Sequence, residues 1–133
     1  MKNYGPAKVA HMFADAISHQ NLDKISELMD EEHVFIDSLG MRIEGRAAMG
    51  QGWEGYFRMV PDYSITIQEI LVKGPTVVML GTAQGTYSAN GVLKPENHWS
   101  TPTAWRALIR GSFVAEWQVS ANNEPIRPII TKY

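Results

Sequence analysis

In the stretch HVFIDSLG, Asp37 follows directly after Val34, Phe35 and Ile36, so a carboxylate stands at the end of an apolar run. An ionised carboxylate in apolar surroundings is costly unless it is paired or hydrogen-bonded. Asp-Ser-Leu-Gly suits a type I turn, in which the aspartate accepts backbone N–H groups and the glycine takes the fourth position. The other use is a cavity, where Phe35, Trp53 and Tyr56 would desolvate Asp37 and make it a general base. Trp53 and Tyr56 lie one helical turn apart in GRAAMGQGWEGYFRMV and can face the same way; plain core packing competes for Trp53, while the Tyr56 hydroxyl needs a partner. Tyr63 and Tyr87 are further phenols of this kind. His98, a candidate proton shuttle, shares one face of an alternating segment with Ala104 and Arg106. Arg106 is the natural charge partner for Asp37 and an anchor for a carboxylate or enolate. Trp117 is expected to form cavity wall.

Other chemistries lack their residues. There is no cysteine, which excludes disulfides, thiolate nucleophiles and Cys-based zinc sites. The four histidines show no paired helical spacing, and His33 and Asp37 on one extended strand would be about 13 Å apart, so no metal is expected. GQGWEG lacks the preceding strand that a phosphate-binding loop requires. No cofactor is expected.

Positioning such residues needs a folded core, and the chain can supply one. It has 133 residues, 44% hydrophobic and 20% charged, as soluble globular proteins do. We read residues 1–133 as one domain. A net charge of −2 gives no basic field for nucleic acid. No window approaches a membrane span and the first residues carry no apolar leader, so a cytoplasmic protein is expected.

The apolar residues Val9, Met12, Phe13, Ala16 and Ile17 form one helical face after Pro6, and Asn21 can cap a second, shorter helix ending near Asp30. The strand HVFID, the short MRIEG and a third helix from Gly45 to Pro61 follow. Beyond Pro61 the period falls to two, through YSITIQEILV, TVVMLGTAQGTYS, HWSTPTAWRALIR and FVAEWQVSA, with turn signals between them. Helices followed by an antiparallel meander mean an α+β fold. On the second meander strand Gly81, Ala83 and Gly85 share a face, leaving either an open groove or room for close packing. Trp105, Ala107 and Ile109 alternate away from Arg106, and we expect them on an outer sheet face that forms a homodimer.

This order of elements resembles the cone-shaped nuclear transport factor two-like superfamily. NLDKISELMDEEHVFIDSLG, GRAAMGQGWEGYFRMVPDYSI and RALIRGSFVAEWQV resemble its SnoaL-like branch over nearly the whole chain. The resemblance implies three N-terminal helices on a curved, mainly antiparallel sheet. It also implies a cavity for a small, mostly apolar cyclic or polyketide-like molecule, with cofactor-free isomerase or cyclase chemistry, or a noncatalytic binder of the same fold. Asp37-Ser38-Leu39-Gly40 matches the Asp-x-x-Gly context of the proton-abstracting aspartate in ketosteroid isomerases. The isomerase oxyanion positions correspond to Phe13 and Ala104, which cannot donate a hydrogen bond from their side chains. Gln84-Gly85-Thr86 departs from the Arg-x-Asp of limonene-type epoxide hydrolases. At Ser120-Ala121-Asn122-Asn123 the acid of SnoaL-type cyclases is missing or replaced by an amide, so Asn122 would orient a substrate without acting as an acid.

Overall fold

The computed structural model describes residues 4–132. Helix α1 (Pro6–Ser18) has proline in its first turn and buries Val9, Phe13 and Ile17. Its end is fixed by side chains: Ser18 Oγ accepts from the Ile65 amide at 2.9 Å, and Gln20, in the left-handed region at φ 51°, donates its side-chain amide to the Tyr63 carbonyl. Asn21 caps α2 (Leu22–Leu28), its side chain accepting from the Lys24 amide at 3.1 Å. Strand β1 (Met29–Ile36) starts where α2 stops and pairs with the short β2 (Arg42–Glu44). The Gly45 amide then donates to the His33 carbonyl at 2.7 Å, and a backbone at φ 100° turns the chain into α3 (Arg46–Met59).

Four longer strands complete the sheet: β3 (Ser64–Lys73), β4 (Thr76–Ala89), β5 (Val92–Arg110) and β6 (Phe113–Ala121). Asn90 and Gly91, both at positive φ, make the tight β4–β5 turn. The strand order is β2-β1-β6-β5-β4-β3; every pair is antiparallel except β1 with β6, where Phe35 lies opposite Trp117. The expected three helices are present but not consecutive, because β1 and β2 separate α2 from α3. A fourth helix, α4 (Arg127–Ile130), follows the sheet and buries Ile129.

The helices lie on one sheet face, over a core that includes Phe13, Met79, Trp105 and Trp117. This reverses the expected faces of β5. Trp99, Thr101, Thr103, Trp105, Ala107 and Ile109 point inward, and Trp105 is 1% exposed, so it cannot carry an outer dimer contact. Ala104, Arg106 and Leu108 belong to the outer face, where the row Glu69, Leu80, Ala104, Ser120 crosses four strands. The inward set holds two tryptophans, and burial of the larger apolar surface decides which face is covered.

The expected groove along β4 is also closed. A Cβ on Gly81 would lie 1.8 Å from the Thr66 carbonyl oxygen, and one on Gly85 would lie 2.3 Å from Val60 Cγ1. Ala83 is buried in the core. These small residues admit neighbouring backbone and side chain, the close-packing alternative.

Candidate functional site

An apolar chamber of about 330 Å3 opens between α3, β1 and the β1–β2 turn. Its walls are Phe35 from β1, Met49, Trp53 and Tyr56 from α3, Tyr63 from the α3–β3 connection, Val119 from β6 and the turn residues Asp37, Ser38 and Leu39. The helical spacing of Met49, Trp53 and Tyr56 places all three on the chamber side of α3. Phe35 meets Trp53 edge-on at 5.9 Å, and Tyr56 meets Tyr63 edge-on at 5.0 Å, so the rings hold one another in place. Leu39 is 84% exposed at the mouth.

Asp37 takes the turn position expected for it and also stands in the chamber wall. Its Oδ1 accepts from the Leu39 and Met41 amides, each at 2.9 Å, while the Gly40 amide donates to its carbonyl at 3.0 Å. The carboxylate therefore fixes the β1–β2 turn and also lines the chamber. The phenols of the same wall stay neutral. Burial pushes the Tyr56 hydroxyl well above its ordinary titration range; burial and then the neighbouring Tyr56 do the same to Tyr63. Trp53 adds an indole N–H that is buried with no acceptor among the described residues.

A second chamber, of about 670 Å3, lies outside the first, between Met59 of α3 and the segment running from Ala121 through α4 to Thr131. Ser38, Leu39, Tyr56 and Asn123 line both, forming a neck. Asn122 faces the outer chamber, but its Oδ1 is held by the Glu124 amide at 3.0 Å and its carbonyl by Thr101 Oγ1 at 2.9 Å.

Among the expected site residues, Asp37, Trp53, Tyr56 and Tyr63 thus come together. The others do not. His98 is exposed, and its Nδ1 lies 3.0 Å from Thr86 Oγ1, which donates to Asp62 at 2.7 Å. Strand alternation carries Arg106 to the outer face, where it pairs with Glu116 at 3.0 Å and cannot reach Asp37. Tyr87 packs against the core away from both chambers. Trp117 is buried against Phe13, 4.8 Å between ring centres, and is core, not cavity wall. Neither Phe13 nor Ala104 lines a chamber; the first is core and the second faces outward.

Two features were missed from the sequence. His33 is fully buried; its Nδ1 sits 2.7 Å from the Val114 carbonyl, and its Nε2 has no partner among the described residues. Burial lowers its pKa from 6.5, against weaker opposing effects of the Val114 carbonyl, Asp30 and Glu116. Alternation through 33, 35 and 37 could have put it on the inward side. The α4 segment carries Ile126, Ile129 and Ile130 at helical spacing, a stripe legible in principle.

Among the described residues no group of three or more His, Asp or Glu side chains is arranged to hold a metal, and no helix is long and apolar enough to cross a membrane. No curated protein matches this sequence. Solved structures match it over nearly their whole length. A candidate SnoaL-like polyketide cyclase from Shewanella denitrificans superimposes with a TM-score of 0.82 at 13% identity, covering 96% of this chain and 98% of that one. IdmH, a candidate polyketide cyclase from Streptomyces antibioticus, gives 0.79 at 18% identity, covering 96% and 99%. A protein of ketosteroid isomerase-like fold from Catenulispora acidiphila, crystallised with trimethylamine, gives 0.78 at 17% identity, covering 89% and 88%. These likenesses establish the fold, and the SnoaL-like domain family model matches residues 9–122, so the chain belongs to the SnoaL-like domain family.

Proposed function

We propose that the inner chamber binds a small, mostly apolar cyclic molecule of polyketide-like type and acts on it by cofactor-free acid–base chemistry. The observation that carries this reading is the placement of Asp37 and Tyr56 on the wall of one aromatic chamber. A ring carbonyl would accept from the neutral Tyr56 hydroxyl, which raises the acidity of the adjacent C–H, and Asp37 would take that proton through the carboxylate oxygen not used in the turn. The family and its polyketide cyclase and ketosteroid isomerase-like structural neighbours support the reading. Thermal-shift screening against cyclic ketones, lactones and aromatic polyketides tests binding, since a ligand of the folded state raises its stability. With a hit in hand, Tyr56→Phe should weaken binding of carbonyl compounds about three- to tenfold, the value of one neutral hydrogen bond, and leave hydrocarbon analogues unaffected. Equal losses for both would remove Tyr56 from the polar machinery.

A second reading, noncatalytic capture of the same ligand, is favoured by the commitment of Asp37 Oδ1 to two turn amides. Proton exchange at the carbon next to the carbonyl of a bound ketone, followed by NMR in deuterated water, separates the two. Exchange that is lost in Asp37→Asn supports chemistry; exchange at the solution rate supports capture.

We further propose a homodimer through the outer sheet face, now assigned to Leu71, Val78, Leu80, Ala104 and Leu108. Leu71 and Leu80 are 55% and 38% exposed there, on a face that no helix covers.

A further inference from the structure

Resting on the reading of the inner chamber as a ligand site, we propose that the neck between the two chambers selects a two-part ligand. Its ring system would fill the inner chamber. An uncharged group that both donates and accepts hydrogen bonds, such as an amide or hydroxyl, would sit in the neck and lead into the outer chamber. Both chambers fall in the size range of small-molecule sites, about 300–1,000 Å3. Aromatic rings surround the inner one, whereas Met59, Ile126 and Ile130 line the outer one together with the polar side chains of Asn122, Glu124, Arg127 and Thr131.

The argument for an uncharged group comes from which polar atoms remain free. Arg127 and Glu124 are ion-paired with each other, so the charges that line the outer chamber among the described residues cancel. Asn122 Oδ1 is taken by the Glu124 amide, and Thr131 Oγ1 donates to the Pro128 carbonyl at 3.2 Å. At the neck the situation is reversed. Asn123 is exposed, and among the described residues its bonds run through its backbone carbonyl, which accepts from the Ile126 and Arg127 amides, so its side-chain amide can donate and accept toward a ligand. Ser38 Oγ accepts from the Ala121 amide at 3.2 Å and keeps its own hydrogen to give. The Tyr56 hydroxyl, neutral through burial, is a further donor. A group with one donor and one acceptor matches this set; a carboxylate would meet Glu124 and find the arginine occupied.

Three probes share the naphthalene ring and differ in the arm: 2-methylnaphthalene, N-(2-hydroxyethyl)-2-naphthamide and N-(2-naphthoyl)glycine. Affinities for the full chain are read by calorimetry or tryptophan fluorescence. The neutral amide should bind about tenfold more tightly than the methyl compound, as one or two net hydrogen bonds allow, and more tightly than the acid. Asn123→Ala should lower the amide-to-methyl ratio about three- to tenfold. If the methyl compound and the amide bind equally, the neck selects nothing and the inner chamber alone is the site. If the acid binds most tightly, Arg127 is released from Glu124 and the inference is wrong. Binding of none of the three would overturn this inference together with the chamber reading on which it rests.

Discussion

Asn in place of Asp37 keeps an acceptor for the Leu39 and Met41 amides but withdraws the charge that strengthens both bonds. We expect Asp37→Asn to lose about 1 kcal/mol in urea melts at neutral pH, in the range of a lost cap; a variant as stable as the parent would show that the turn does not depend on the charge. His33 gives a forecast that depends on pH. Its folded form disfavours the imidazolium, so on the acid side of 6.5 the unfolded chain binds more protons at this position. The contribution of His33 to stability is complete above 6.5 and falls as the pH drops below it. His33→Asn can retain a donor to the Val114 carbonyl without titrating, and its stability should decline less between pH 6.5 and 5; equal slopes would place the titration elsewhere. The residue types of the site were legible in HVFIDSLG and GQGWEGYF, because an acid after an apolar run and aromatics one turn apart have few uses. The burial of His33 was legible only through alternation with Phe35 and Asp37, since a histidine taken alone does not reveal which side of the sheet it faces.

Strand alternation divides β5 into two sets of side chains without saying which set is inside. Assigning Ala104 inward by family resemblance put His98 and Arg106 in the cavity and Trp105 outside. The apolar content of the opposite set, with Trp99, Trp105 and Ile109, pointed to the arrangement that occurs. The elements themselves were readable because helical and strand periods change cleanly at Pro61, and the pairing of β1 with β6 was not, because a parallel contact between remote strands leaves no local signature. Glycines of β4 likewise required the neighbouring chain to interpret. Gly81→Ala should cost about 3 kcal/mol, since the obstacle is the Thr66 carbonyl and backbone must move. Gly85→Leu should be destabilised as well, by collision with Val60, and should not act by filling a ligand cavity. A fully stable Gly81→Ala chain, read by denaturant midpoint, would mean that β3 and β4 separate at little cost.

The exposed apolar residues include Leu39 at the chamber mouth and Leu80 on the outer sheet face. Leu80→Glu should convert a dimer into monomers in light scattering while the far-ultraviolet spectrum is retained, and a monomeric parent protein would end the dimer proposal. Trp105→Glu, by contrast, should fail to fold, because it places an unpaired carboxylate in the core. The parallel β1–β6 seam has a further, temporal consequence. Phe35 and the turn that begins at Asp37 are synthesised early, yet their neighbour across the seam, from Glu116 to Gln118, is among the last strands to be made. Closing so long a loop before any contact repays it slows folding. During synthesis β1 can meet β2 and α3 at once, whereas its other edge stays unpaired until β6 is made, so the β6 side of the chamber wall, at Val119, is among the last parts of the molecule to be put in place.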